Sequence, residues 1–273
     1  MSILAVTAMV QALVADAITP PQVLEASMIQ ATPSAAARAI SVETVPRLPT
    51  RPVTVTVECL VRTSGVLGDC IPAEDGGTGD LKAFRQRLSA TVRGAPTDPV
   101  LAAAMARTRF YRVRPLGPAK EPANGPTNQN VYRSVLIRIT VSPADKAPNS
   151  PAIARLASGD LMIDPASVAD VASFYPPAAR RADARTRITA TCRVLTDRSL
   201  YCRDPRVDLT ETPGTPRTGS RTGSQTVTMP DFDAAFGRAT IQAFATMRAQ
   251  ARTASGEDSV GREAPFSLRW QLP

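Results

Sequence analysis

Apolar and polar positions alternate with period two in several stretches of the chain, and twice the alternation runs into a cysteine. Val53, Val55, Val57, Cys59 and Val61 fall on one face, with Thr54, Thr56, Glu58 and Arg62 on the other. Ile188, Ala190, Cys192 and Val194 repeat the pattern against Arg187, Thr189, Thr191 and Arg193. Such alternation predicts half-buried strands. Each stretch continues into turn residues, Thr63-Ser64-Gly65 in one and Thr196-Asp197-Arg198 in the other, and then returns to a second cysteine. A hairpin of Val53–Arg62 with a partner near Val66–Ile71 follows, and a second hairpin holds Cys192 and Cys202.

Helical spacing comes next in both places. Leu81, Phe84, Leu88 and Val92 form one apolar stripe, and Pro99–Arg107 is a second helical run. Later, Phe232, Phe236, Ile241, Phe244 and Met247 give an apolar face to a helix that starts at Pro230-Asp231 and runs to about Arg252. Each unit closes with a strand. Val135, Ile137 and Ile139 share a face of Val131–Val141, and Phe266, Leu268 and Trp270 share a face of Phe266–Leu272. The order strand, strand, helix, strand thus occurs twice, 133 residues apart. The expected fold is α+β, with two tandem small domains, each an antiparallel three-stranded sheet with helix packed on one face.

The expected domains are 51–145 and 165–273, with linkers over 18–50 and 146–164, the first holding a short helix near Pro21–Ile29. Residues 1–17 read as a secretory signal peptide, since the apolar run Ile3–Val14 ends in Ala15-Asp16-Ala17; the alternative is an amphipathic helix that stays attached. That run is too short to span a membrane, so no integral span is expected. Thr212–Thr226, rich in Pro, Gly, Ser, Thr and Arg, has little apolar surface to bury.

All four cysteines lie in the two hairpins, which share the pattern Cys-x-Val-x-Thr-x-x-x-Leu. Four cysteines allow three pairings. The repeat favours Cys59–Cys70 and Cys192–Cys202, each a cross-strand bridge that closes a short loop and stabilises by roughly 2–3 kcal/mol on the chain-entropy model. The alternative is four free thiols in a cytosolic protein; bridged cysteines instead point to export.

Composition narrows the chemistry. The chain has no histidine, which excludes Ser-His-Asp and Cys-His catalysis, and no C-x-x-C spacing, which weighs against a metal site. None of Lys82, Lys120 and Lys146 has a serine at a recognisable dyad spacing. The carboxylate pairs Asp231/Asp233 and Glu74/Asp75 suit a helix start and a solvated loop. The glycines of that loop match neither phosphate-binding pattern. No catalytic, cofactor or metal residue is expected. The net charge of +8 comes mainly from arginines scattered along strands and helices, which reads as solvation and not as a nucleic-acid groove.

The second unit resembles the TonB C-terminal domain family. The residues that carry this are Tyr175-Pro176-Pro177-Ala178-Ala179, the strand Ile188–Val194, its turn with Leu200-x-Cys202, the Phe232–Arg252 helix and the Phe266–Leu272 strand. The first unit looks like a diverged copy without the Tyr-Pro lead-in. The resemblance implies a periplasmic, non-catalytic protein that binds extended peptide segments of envelope or outer-membrane transport proteins by strand addition. The edges it implies are those carrying Val135, Ile137 and Ile139, and Phe266, Leu268 and Trp270. The chain lacks the family's polar-residue-bearing membrane helix and long Pro-Lys/Pro-Glu spacer, so motor coupling is not implied. A second expectation is a structural module that binds cell wall or anionic polymer, and exposed edges also permit a homodimer.

Overall fold

The computed structural model describes residues 22–23, 28–43, 45–61, 65–73, 84–89, 98–114, 133–148, 151–168, 171–211 and 229–271. The leader reading at 1–17, the loop 74–79 and the stretch 212–226 lie outside them.

In chain order the first half runs β1 (Gln22–Val23), β2 (Ile29–Ala31), α1 (Ala35–Ser41), β3 (Val53–Val61), β4 (Leu67–Pro72), α2 (84–89), α3 (Pro99–Thr108), β5 (Arg112–Val113) and β6 (Arg133–Val141). The second runs β7 (Ala154–Arg155), α4 (Pro177–Arg181), β8 (Arg185–Val194), β9 (Leu200–Glu211), α5 (Met229–Thr246) and β10 (Arg262–Trp270). The architecture is mixed α+β.

Two four-stranded sheets have the same layout: β1-β6-β3-β4 and β7-β10-β8-β9. Three antiparallel strands in each match the alternation in the sequence. The fourth is a two-residue strand that pairs in parallel with the closing strand, β1 on β6 and β7 on β10. Two residues carry no readable period, so neither short strand was visible in the pattern. Their segments fall in stretches expected to be linkers. Where a helix was expected near Pro21–Ile29, the described residues include strand at 22–23 and 29–31, held by β6 and β5. Gly261 lets β7 close on β10: its φ is +79°, and a Cβ there would lie 2.5 Å from Cδ1 of Ile153.

Both hairpins are bridged, Cys59 to Cys70 and Cys192 to Cys202. The cysteines are direct cross-strand partners, with Cα atoms 4.1 and 3.9 Å apart, the close approach of a non-hydrogen-bonded antiparallel pair. A bulge in β3/β4 between Cys59 and Leu60 absorbs the extra residue of the first loop.

One face of each sheet carries a helix. Val57, Cys59, Val61, Val135, Ile137 and Ile139 pack on Ala103 and Ala104 of α3. Ala190, Cys192 and Ala264 pack with Phe244 of α5, while Ile188 and Trp270 pack with Phe232 and Phe236. The opposite faces differ. In the first sheet Leu60 and Ile71 are covered by Phe84 of α2. No described helix covers the corresponding face of the second sheet, where Arg187, Arg206 and Arg269 are exposed.

Helix ends follow their caps. Asp98 accepts from the Val100 N–H ahead of Pro99 and starts α3 as expected. The periodic run expected to reach Arg252 stops at Thr246. There Met247 N–H bonds back to the Phe244 carbonyl, and the main chain turns to bridge Ser199 and Ile163 through Arg248 and Ala249.

Arg107 is 1 % exposed and fully engaged: Nη2 reaches Asp145 (3.0 Å), Nε reaches the Ser41 hydroxyl (3.1 Å) and Nη1 the Thr140 carbonyl (2.6 Å). Asp145 also accepts from Ser142 N–H and pairs with Arg38, so α1, α3 and the end of β6 meet at one carboxylate. Removing one partner of such a pair leaves the other charge buried and unmatched. Asp145→Asn is expected to lower unfolding stability by about 3–5 kcal/mol in urea titration, while the paired replacement of Arg107 and Asp145 by Met and Leu costs far less.

Candidate functional site

The residues singled out for strand addition lie on the two closing strands, but their side chains face the cores. Val135, Ile137 and Ile139 are buried under α3, and Trp270 is buried against α5 with Phe266 and Leu268 half-buried. What the strands offer a partner is main chain.

On β6 the outer edge is met by β1 at Val135 and Leu136, in the middle of the strand, and Arg107 takes the Thr140 carbonyl. On β10, β7 meets only Arg262 and Glu263. Leu156 N–H donates to the Glu263 carbonyl, so the main-chain groups of Glu263 point away from β8. Alternation then directs outward the groups of residues 265, 267 and 269. Pro265 stands at one of these positions, where it forfeits no ladder bond to β8. Beyond it, the Pro265 carbonyl and both main-chain groups of Ser267 have no strand partner among the described residues. Ala264–Trp270 is the longest such run on either closing strand.

The far end of β10 is anchored by the Tyr-Pro lead-in. Tyr175 stands edge-on to Phe236 and Trp270, with ring centroids 5.5 Å away in both cases, and donates its hydroxyl to the Ala184 carbonyl. Burial, then the neighbouring Asp183 carboxylate, pushes its phenol above the usual value. Trp270 Nε1–H donates to Thr240 of α5 at 2.8 Å. Pro176 is buried beside Tyr175 and precedes α4. The pair therefore fixes where β10 ends and contributes nothing directly to its edge.

A second set of polar residues was not foreseen. The turn between β8 and β9 reaches across to the first half, where Ala35 N–H donates to Asp197 (2.8 Å) and Ala36 N–H to the Ser199 hydroxyl (3.0 Å). Ser34 accepts from Ala37 N–H and donates to the Ala245 carbonyl at the end of α5 (2.7 Å). Around this seam Ala36, Ala37, Phe110 and Ala245 are buried together, with Phe174, Leu195 and Tyr201 packed against them. Tyr201 donates to Glu43 (2.8 Å), and burial followed by that carboxylate raises its phenol well above the ordinary range. The only signal in the sequence was Thr196-Asp197-Arg198, already explained as a turn.

Open clefts of about 360 and 550 Å³ flank the seam. The first is lined by Ser34, Phe110, Arg112 and Arg248, and the second by Asp69, Arg109, Ser173 and Gln242. Among the described residues no group of three or more Cys, Asp or Glu side chains is placed to hold a metal ion. No described helix is long and apolar enough to cross a membrane. Comparison with protein-family models, curated proteins and solved structures finds no match.

Asp197 gives the seam a pH dependence. Burial alone would raise its pKa, but the Ala35 N–H, the Ser199 hydroxyl and N–H, and the nearby Arg38 together hold it below the usual carboxylate value. A depressed folded-state value means the contribution is complete above the unfolded carboxylate pKa and is lost as pH falls through the folded one. Denaturation followed from neutral to acid pH is expected to show this loss in the wild type. Asp197→Ala should start about 1 kcal/mol lower at neutral pH and show a correspondingly smaller acid loss.

Proposed function

We propose that this chain is a non-catalytic, TonB-like binding protein of the periplasm that takes extended peptide segments of envelope or outer-membrane transport proteins by adding them as a strand to β10. The observation that carries this is the run Ala264–Trp270, with an outer edge that has no strand partner beyond Glu263 among the described residues. Main-chain bonding to such an edge supplies affinity without a pocket. The bridged hairpins favour an oxidising compartment, in keeping with export. The shared order of the two sheets agrees with a tandem duplication, in which the first copy has its closing strand occupied in the middle by β1.

The edge is tested by a substitution that removes one outward N–H and leaves the β8 ladder intact. Ser267→Pro should retain the fold by circular dichroism yet weaken binding by about tenfold or more. The probe is a panel of synthetic peptides copying the periplasm-facing terminal segments of the host's outer-membrane transporters. Ser267→Ala, which keeps the N–H and loses only the hydroxyl, should bind like the wild type. Equal binding by Ser267→Pro, or no peptide bound by the wild type, removes the reading.

A further inference from the structure

The two halves repeat one feature at the start of their second strand. Val66, just after the first hairpin turn, bridges Arg112 beyond α3, and Val113 N–H donates to the Gly65 carbonyl. Ser199 likewise bridges Arg248 beyond α5, and Ala249 N–H donates to the Arg198 carbonyl. Arg109 therefore corresponds to Ala245, three residues before the bridge in each half, and Val66 corresponds to Ser199. In the second half the chain itself fills this place. The Ser34 hydroxyl donates to the Ala245 carbonyl, Ala36 N–H donates to the Ser199 hydroxyl, and Ala245 is buried with Ala36 and Ala37 of α1. In the first half Val66 and Arg109 instead line the open cleft of about 550 Å³.

That cleft continues the first sheet, of which β4 is an outer strand. Cys70 faces Cys59 as a non-hydrogen-bonded pair, so its N–H and carbonyl point away from β3. Neither has a strand partner among the described residues. Apolar side chains reach the cleft from both faces of the sheet. Met105 of α3 belongs to the core that holds Cys59, and Leu88 of α2 packs with Leu60 and Ile71 on the other face. A strand added here, its side chains alternating, meets one on each side. Nearer the turn the same edge is already occupied by the segment around Arg112, so a strand in line with that segment has to end before it. Arg109 lines the cleft just ahead of this segment in the chain. Its Nη1 donates to Gln242 (3.0 Å), and it makes no ion pair among the described residues. Partial burial lowers its pKa from the ordinary guanidinium value, with no carboxylate to offset the effect.

We propose that this cleft takes the C-terminal residues of an extended partner polypeptide, added antiparallel to the outer edge of β4 with the terminal carboxylate on Arg109. The segment around Arg112 itself runs antiparallel to β4, so an in-line strand of the same direction brings its C-terminal end toward Arg109. A chain end fits where a continuous segment would collide. The Cys70 N–H and carbonyl exchange two bonds with one residue of the added strand, and the guanidinium offers a planar fork that matches a carboxylate. Asp69, which lines the same cleft and makes no ion pair among the described residues, disfavours an acidic side chain beside that terminus. The site lies on the other half from β10 and does not rest on strand addition there.

The test is an array of short N-acetylated peptides of random C-terminal sequence, made once with free C-termini and once as C-terminal amides, and probed with the full, oxidised chain. Free-acid members should bind, and amidation should weaken each of them about tenfold or more. Arg109→Gln should lose the same factor and no longer distinguish acid from amide. Gln242→Ala, which removes the described partner of Arg109 and keeps the guanidinium, should bind within about twofold of the wild type. It separates carboxylate capture from a contact that merely holds α3 to α5. Ser267→Pro should leave this binding unchanged, which sets the β4 edge apart from β10. The proposal is overturned if no free-acid peptide binds, if acid and amide bind the wild type equally, or if Gln242→Ala loses as much as Arg109→Gln.

Discussion

The first turn of α1 is the constraint on which the arrangement of the two halves depends. Helix α1 is seven residues long, and a helix of that length is not stable alone in water. Its first N–H groups have no intrahelical partners and must be satisfied from outside. Ser34 takes one; Asp197 and Ser199, from the hairpin turn of the other half, take two. The Ser34 hydroxyl in return satisfies the Ala245 carbonyl near the end of α5 across 211 residues of sequence. One short helix therefore exists because the second hairpin caps it, and through its Ala36 and Ala37 it buries the faces that would otherwise separate the halves. Arg38 and Ser41 of the same helix then connect to Asp145 and Arg107, so the seam and the buried ion pair share an element.

The features that could be read from sequence were those enforced locally. Period-two alternation placed β3, β8 and both closing strands to within a few residues, because a half-buried strand must alternate wherever it lies. The cysteine pairing was legible for the same reason: a hairpin brings its own strands into register. What escaped was enforced from a distance. Ala35-Ala36-Ala37 has no polar face and read as linker, because its helix is completed by residues far away in the chain. Arg107 belongs to the scattered arginines read collectively as solvation, yet Asp145 and Ser41 enclose it. The short strands β1 and β7 needed a finished sheet edge before they could exist at all.

The candidate edge was half legible. Sequence placed the closing strands correctly but selected the residues of the apolar face, which the helices cover. The groups that face outward are backbone groups of the alternate set, the Pro265 carbonyl and those of Ser267 among them. This is a general consequence of sheet geometry: in a strand with one buried face, apolar periodicity reports the core and carries no information about the edge. The proline is the more useful signal, since it is confined to places where no donor is required.

The duplicated sheets also limit what each copy can do. Covering the second face at one end, as Phe84 does over Leu60 and Ile71, adds apolar contact to the first sheet. The second sheet gives up that contribution and places arginines at the matching positions, where one of the charges they need, Glu263, must itself be buried beneath three of them. Burying a carboxylate is unfavourable unless it is matched, and the match uses arginines that could have remained in solvent on any surface. An arrangement of this kind opposes simple stability. The Tyr175–Phe236–Trp270 cluster and the Cys192–Cys202 bridge strengthen the same sheet from its other side.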